Sequence, residues 1–160
     1  MQFSALKNEH DRVSFDCGIP ELNVFLKEQA RSFIKRGLCA IHVFAEDNAI
    51  VGYYTLSAAS LSAAELPFGA GQKYPQRLPV PCWILGRLAI DKKYQGQGLG
   101  KMLLLAACDK VLEMSHDAGG YCILVDAINE HAKGFYLKYG FLEFPDTPLR
   151  LYLPLASLPH

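Results

Sequence analysis

The residues best suited to chemistry form the run Gln95-Gly96-Gln97-Gly98-Leu99-Gly100, in which every second position is glycine. An apolar stretch precedes it and an amphipathic stretch follows. Residues without a Cβ let successive backbone N–H groups converge on one point, and the start of a helix adds partial positive charge there. Such a loop is suited to phosphate oxygens, although the same residues also suit an ordinary glycine-rich turn. Other phosphate loops fit less well. A Walker loop needs Ser or Thr after Gly-Lys, whereas Met102 follows Gly100-Lys101. A dinucleotide-binding fold needs GxGxxG early in the chain and an acidic residue about 20 positions later. Here the spacing is GxGxG, past mid-chain.

The surrounding periodicity defines the elements that must hold this loop. Leu22, Phe25, Leu26, Ala30, Phe33 and Ile34 recur at helical steps after Pro20, with Gly37 just beyond the end. Two short apolar runs, Cys39 to Ala45 and Ile50 to Leu56, read as a hairpin, and Gly52 inside the second implies a bulge or a close backbone approach. From about Ser60 to Pro81 no period survives, because Pro67, Gly69, Gly71, Pro75, Pro79 and Pro81 interrupt it. A long loop of this kind is more often functional than incidental. A strand from Cys82 to Asp91 then leads into the glycine loop. Leu99 to Met114 follows as a helix whose apolar face is Leu99, Met102, Leu103, Ala106, Ala107, Val111 and Leu112. Tyr121 to Val125 reads as a strand buried on both faces, Asn129 to Tyr139 as a short helix stopped by Gly140, and Leu149 to Leu153 as a last strand. This order predicts an α/β fold, a mixed central sheet flanked by helices, in a single domain over residues 1–160.

Composition narrows the function classes. Half of the 160 residues are apolar, and 16 Lys plus Arg balance 16 Asp plus Glu, so no global field points to a nucleic acid or an anionic membrane. The five cysteines lack CxxC spacing and mostly sit in apolar runs, which suits free thiols in a reducing cytoplasm. No metal is expected. No stretch approaches the roughly 20 apolar residues of a membrane span, so a soluble cytoplasmic protein is expected.

The glycine run resembles the Q/R-x-x-G-x-G/A pyrophosphate signature of the GNAT superfamily of N-acetyltransferases. Asn129 and Phe135-Tyr136-Leu137-Lys138-Tyr139-Gly140-Phe141 resemble that family's later segment. A narrower resemblance is carried by Phe15-Asp16-Cys17-Gly18 with Leu22-Asn23-Val24-Phe25-Leu26, by Gly52-Tyr53-Tyr54-Thr55-Leu56-Ser57, by Leu85-Gly86-Arg87-Leu88-Ala89-Ile90-Asp91 and by Val125-Asp126-Ala127. These are similar to the GNAT toxins of bacterial toxin–antitoxin modules, which acetylate the α-amine of aminoacyl-tRNA and are neutralised by a ribbon-helix-helix antitoxin. Homodimerisation is also implied.

What the resemblance implies is direct attack of a neutral amine on the thioester of acetyl-CoA. Gln95, Gly96, Gln97, Gly98, Leu99, Gly100 and Lys101 would hold the cofactor's pyrophosphate, and Leu88, Ala89 and Ile90 would offer backbone N–H groups to the pantetheine and the thioester carbonyl. Tyr136 would be the general acid for the leaving thiolate, with Tyr139 as understudy. Asn129 is either a helix N-cap or a cofactor contact. No general base is evident: His42, His116, His131 and Glu130 read as structural or exposed groups. Lys35, Arg36, Arg77, Arg87, Lys92 and Lys93 are the candidates for tRNA phosphates, and each also suits a solvated surface. Two rivals remain: an acetyltransferase of a small amine or protein N-terminus, and an acyl-CoA-binding module without turnover.

Overall fold

The structure is a computed structural model in which residues 1–66 and 78–159 are described. Arg77 and the breaks at Pro67, Gly69, Gly71 and Pro75 lie outside the described residues. Among the described residues, seven strands are β1 (Gln2–Ala5), β2 (Ala40–Glu46), β3 (Ala49–Ser62), β4 (Pro79–Ile90), β5 (Cys122–Asp126), β6 (Leu142–Phe144) and β7 (Thr147–Pro154). The helices are α1 (Pro20–Val24), a π segment (Phe25–Gln29), α2 (Ala30–Lys35), α3 (Leu99–Ala118) and α4 (Glu130–Lys138). The hydrogen-bonded strand order is β1-β2-β3-β4-β5-β7-β6. It is a mixed sheet: β4 and β5 run parallel, while β1/β2, β2/β3, β5/β7 and β6/β7 are antiparallel. This is the α/β class that the order of elements predicts.

Packing separates two compact units, Met1–Ser57 with Gly86–Ala107 and Ala58–Leu85 with Cys108–His160. The first has its own core, in which Phe15, Phe25, Leu26, Ala30, Val43 and Tyr53 are almost fully buried. Burying side chains of this size is worth about 1.5–3 kcal/mol each. Tyr53 adds a polar anchor, since its hydroxyl donates to Leu22 O at 2.7 Å. The second unit packs Leu61, Val80, Cys82, Cys122, Leu124 and Tyr152 together. All five cysteines are free thiols, and four of them are buried.

The first helix departs from the single regular helix that its pattern predicts. Ala30 N–H reaches back five residues to Phe25 O, which marks the π turn. The surplus residue turns Gln29 to solvent and brings Ala30 fully inside. Ile34, expected on the apolar face, is 40% exposed. The end is as expected: Gly37 has φ 72°, Leu38 N–H donates to Phe33 O and Gly37 N–H to Ile34 O, a Schellman stop. On α3 the buried face is rotated from the predicted one, with Leu104 inside and Met102 44% exposed.

Other differences concern strands with weak patterns. The four residues of β1 are mostly exposed, and β6 has only three, so neither shows an alternation to read. β3 runs through Ser60 to Ser62 before a 3-10 turn closed by the Ser62–Glu65 capping box. β4 begins at Pro79 rather than Cys82. There Pro79 and Pro81 take exposed positions on either side of buried Val80, and Pro81 O still accepts from Tyr121 N–H at 2.7 Å. A proline lacks only the donor.

Both readings of Gly52 hold. The β2–β3 register shifts between Phe44 and Ala45, opposite Gly52 and Ile50, and a Cβ on Gly52 would lie 2.6 Å from Ile90 Cδ1 and 2.8 Å from Ala89 O. Ile90 Cδ1 can swing away, but the carbonyl cannot. Gly52→Ala is therefore expected to destabilise the protein by about 1–3 kcal/mol, the cost of overpacking, seen as a lower urea midpoint with an unchanged slope.

Candidate active site

The glycine loop begins with a chain reversal fixed by one buried carboxylate. Asp91, only 5% exposed, ends β4 and accepts from Lys93 N–H at 2.9 Å through Oδ1 and from Asp16 N–H at 3.1 Å through Oδ2. Lys92 N–H in turn donates to Asp16 O at 2.8 Å. Gln95, the first residue of the signature, directs its amide inward: Nε2 donates to Cys17 O at 2.9 Å and to Ile90 O at 2.8 Å. The segment 16–18 is itself tied to α1, because Asn23 Nδ2 donates to Asp16 Oδ1 and Asn23 Oδ1 accepts from Cys17 N–H, both at 2.9 Å. The Gly18 amide and then Asn23 hold the Asp16 carboxyl below the usual carboxylate range. The Asp16-Cys17-Gly18…Asn23 motif is thus the brace of the loop.

Beyond the brace the chain needs glycine for its backbone rather than for room. Gly96 and Gly98 have φ 81° and 78°, where an L side chain is strained, yet a Cβ at either position would meet nothing within 4 Å. That open space in front of two left-handed residues fits a bound anion. Gly98 O then accepts from Met102 N–H, and Leu99, Gly100 and Lys101 form the first turn of the 20-residue helix α3. A helix of this length presents its positive end to the loop. The residues present therefore fit a pyrophosphate.

Upstream on β4, Ala89 is buried and Leu88 and Ile90 are half-buried. Gly86 is needed because a Cβ would stand 2.9 Å from Thr55 Oγ1. Arg87 lies with its guanidinium 3.6 Å from the centre of the Phe25 ring and 5.5 Å from that of Phe33. It is stacked on the first helix, so its first role is packing. Lys92 reaches Asp16 at 3.7 Å in an exposed pair worth little, while Lys93, Lys35 and Arg36 are exposed.

Tyr136 belongs to the second unit and sits in the last turns of α4. Asn129 caps that helix, accepting from Ala132 N–H at 2.8 Å, which is the capping role. At the other end Gly140, φ 96°, makes a second Schellman stop: Phe141 N–H donates to Tyr136 O and Gly140 N–H to Leu137 O. The stop folds Phe141 back, and its ring packs edge-on against Tyr136 at 5.4 Å, with Phe135 at 5.3 Å on the same tyrosine. The Phe-Tyr-x-x-x-Gly-Phe spacing is thus a clamp on one ring. Burial, with a smaller effect from Cys108, pushes the Tyr136 phenol well above its ordinary value. Its hydroxyl hydrogen-bonds to no described residue, yet no fully buried side-chain oxygen among them lacks a partner, so the tip reaches solvent. Asp126, by contrast, is engaged: Arg150, its cross-strand partner on β7, donates to both carboxylate oxygens at 2.8 and 3.2 Å. His116 and His131 are exposed, and His42 stacks on Tyr54.

A left-handed glycine loop that follows a strand and opens a long helix is a phosphate cradle of the kind acyl-CoA enzymes use. The acetyltransferase (GNAT) domain model matches residues 38–143, and the chain belongs to the GNAT acetyltransferases. It is similar over nearly its whole length to the tRNA-acetylating toxin of Mycobacterium tuberculosis (strain ATCC 25618 / H37Rv): 34% identity over 148 residues, 92% of this chain and 88% of the relative. Among solved structures it resembles the AtaT toxin complexed with acetyl-methionyl-tRNAfMet, with a TM-score of 0.88, 30% identity and coverage of 98% of this chain and 95% of the other. It also resembles a mutant AtaT bound to the C-terminus of the antitoxin AtaR and acetyl-CoA, with a TM-score of 0.81, 27% identity and coverage of 98% and 94%.

Gly98→Asp is expected to abolish acetyl-CoA binding, because it strains the left-handed backbone and sets a carboxylate against phosphate. Gly98→Ala, which brings the strain without the charge, should weaken binding less. Calorimetric titration checks both, and unchanged affinity in the Asp variant would remove the loop from the site.

Proposed function

We propose that this chain transfers the acetyl group of acetyl-CoA to the α-amine of aminoacyl-tRNA, acting in the cytoplasm as a translation-blocking toxin restrained by a ribbon-helix-helix antitoxin. The whole of 1–160 serves as one acetyltransferase domain. What carries the reading is similarity to a tRNA-acetylating toxin across 92% of the chain, which includes the Asp16-Cys17-Gly18…Asn23 brace outside the matched family domain.

Acetyl-CoA, when bound, supplies the acetyl group as an activated thioester and leaves as a thiolate. The loop from Gln95 to Lys101 holds the pyrophosphate through Gly96, Gly98 and the start of α3. Backbone N–H groups along Leu88, Ala89 and Ile90 would hold the pantetheine and stabilise the oxyanion that develops as the amine nitrogen attacks, an effect worth about 3 kcal/mol per donor in other acyl-transfer enzymes. Tyr136 gives its phenolic proton to the sulfur as the C–S bond breaks, and solvent takes the proton lost by the amine. Burial disfavours phenolate, so the phenol stays protonated throughout the working pH range. No base is required: an α-amine has a pKa near 7.7 to 8.0, so a usable fraction is neutral at cytoplasmic pH. Lys35, Arg36, Lys92 and Lys93 supply phosphate contacts to the tRNA.

Two outcomes are expected. Tyr136→Phe keeps the ring and its Phe141 contact but removes the proton. It should lower kcat about 10²- to 10⁴-fold, leave the acetyl-CoA affinity unchanged and relieve growth arrest on overproduction. The wild-type rate should climb as the amine deprotonates and then level off. Because the Tyr136 phenol titrates above its ordinary value of about 10, it should cause no alkaline fall below that pH. A Phe variant as fast as the wild type would reduce Tyr136 to packing.

With labelled acetyl-CoA, charged tRNA should be acetylated at a rate that falls steeply with salt. Free amino acids and lysine peptides should react poorly, since a lysine with pKa about 10.4 is almost wholly protonated and neither offers a phosphate backbone. Equal, salt-independent labelling of all three would overturn the toxin reading in favour of a general amine acetyltransferase.

A further inference from the structure

The first unit carries a concave surface, about 580 Å³ in volume, away from the glycine loop in sequence. Lys7 and Arg12, from the chain after β1, and Arg31 and Lys35, on α2, line it together with apolar Leu6 and Ile34, and no carboxylate is among its lining residues. Lys7, Arg31 and Lys35 are exposed and take part in no ion pair with any described residue. Arg31 and Lys35 stand one helical turn apart, where like charges repel unless an anion lies between them. Arg12 is held in place: its Nη1 donates to Leu26 O at 3.3 Å and Lys27 O at 3.2 Å, both carbonyls of the π segment. That leaves the donors on Nε and Nη2 for a ligand.

We infer that this groove holds the sugar–phosphate backbone of the charged tRNA, an inference that rests on the acetyl-transfer reading above. The four cations offer hydrogen-bond donors and no acceptors, from two chain segments facing one trough. This suits a repeating singly charged anion rather than a folded surface with its own donors. The contacts would position the acceptor without reading sequence, and they add Lys7, Arg12 and Arg31 to the cations Lys35 and Arg36 already assigned to tRNA phosphates.

The test uses the full chain and charged tRNA in filter binding across salt, comparing the wild type with Lys7→Gln/Arg31→Gln. Removing one cation from a phosphate should reduce the slope of log affinity against log salt by about 0.7–0.9. The double variant should therefore bind more weakly at low salt and show a slope shallower by about 1.4–1.8. Arg31→Lys, which keeps the charge, should restore most of the slope relative to Arg31→Gln. Thermal midpoint and acetyl-CoA affinity should stay at wild-type values, which excludes misfolding as the cause. Unchanged tRNA affinity and slope in the double variant would overturn the groove, whatever the wild type acetylates. A variant that keeps tRNA but loses a ribbon-helix-helix antitoxin would also overturn it, reassigning the trough to an acidic protein segment. Wild-type failure to acetylate charged tRNA, by contrast, would sink the activity reading while the binding slopes still judged the groove.

Discussion

The glycine loop depends on one buried carboxylate and one bridging amide. Asp91 and Gln95 direct their polar atoms at backbone N–H and carbonyl groups of three segments: 16–17, the end of β4 and the turn before α3. A loop with glycine at alternate positions has much conformational entropy to lose, of order 1–2 kcal/mol per residue fixed. Here the brace fixes the entry to the loop and the helix fixes its exit, so only the few residues between them remain to be ordered by a ligand. That arrangement also explains why a short motif near the N-terminus accompanies a glycine loop some 75 positions later: Asp16 N–H needs Asp91, and Cys17 O needs Gln95.

Six glycines among the described residues divide between two physical demands. Gly37, Gly96, Gly98 and Gly140 hold backbones that turn the chain into the left-handed region, whereas Gly52 and Gly86 let neighbouring strands approach. Tolerance to substitution differs accordingly. In the first kind strain arises wherever the new side chain points; in the second the outcome depends on whether a carbonyl or a hydroxyl can give way.

Local signals were legible where a strong pattern met a strong structural demand. The existence of α3, the apolar run Cys122 to Val125 of β5 and the glycine stops at Gly37 and Gly140 follow directly from spacing. β1 and β6 were not legible because short, exposed edge strands owe their existence to partners, Phe44 against Phe3 and Leu151 against Glu143, rather than to their own alternation. The π segment was invisible because a single surplus residue leaves the apolar spacing nearly helical. Tyr136 is singled out by the family pattern alone, and the structure adds the ring contacts that hold it. The cations Lys7, Arg12 and Arg31 went unread because only folding brings residues 7 and 12 beside 31 and 35.

The π segment also separates chain length from register. An α-helix turns about 100° per residue, so a surplus residue in a regular ladder would swing everything beyond it round by that angle. The i→i−5 turn absorbs the residue locally instead, so Phe33 still packs on Phe25, and Arg31 and Lys35 line one groove with Lys7. Deleting one residue between Phe25 and Gln29 should therefore restore a regular ladder and leave these faces in register, whereas inserting one more should turn them. Relatives shorter by one residue at this point would still display the same charges to their partners.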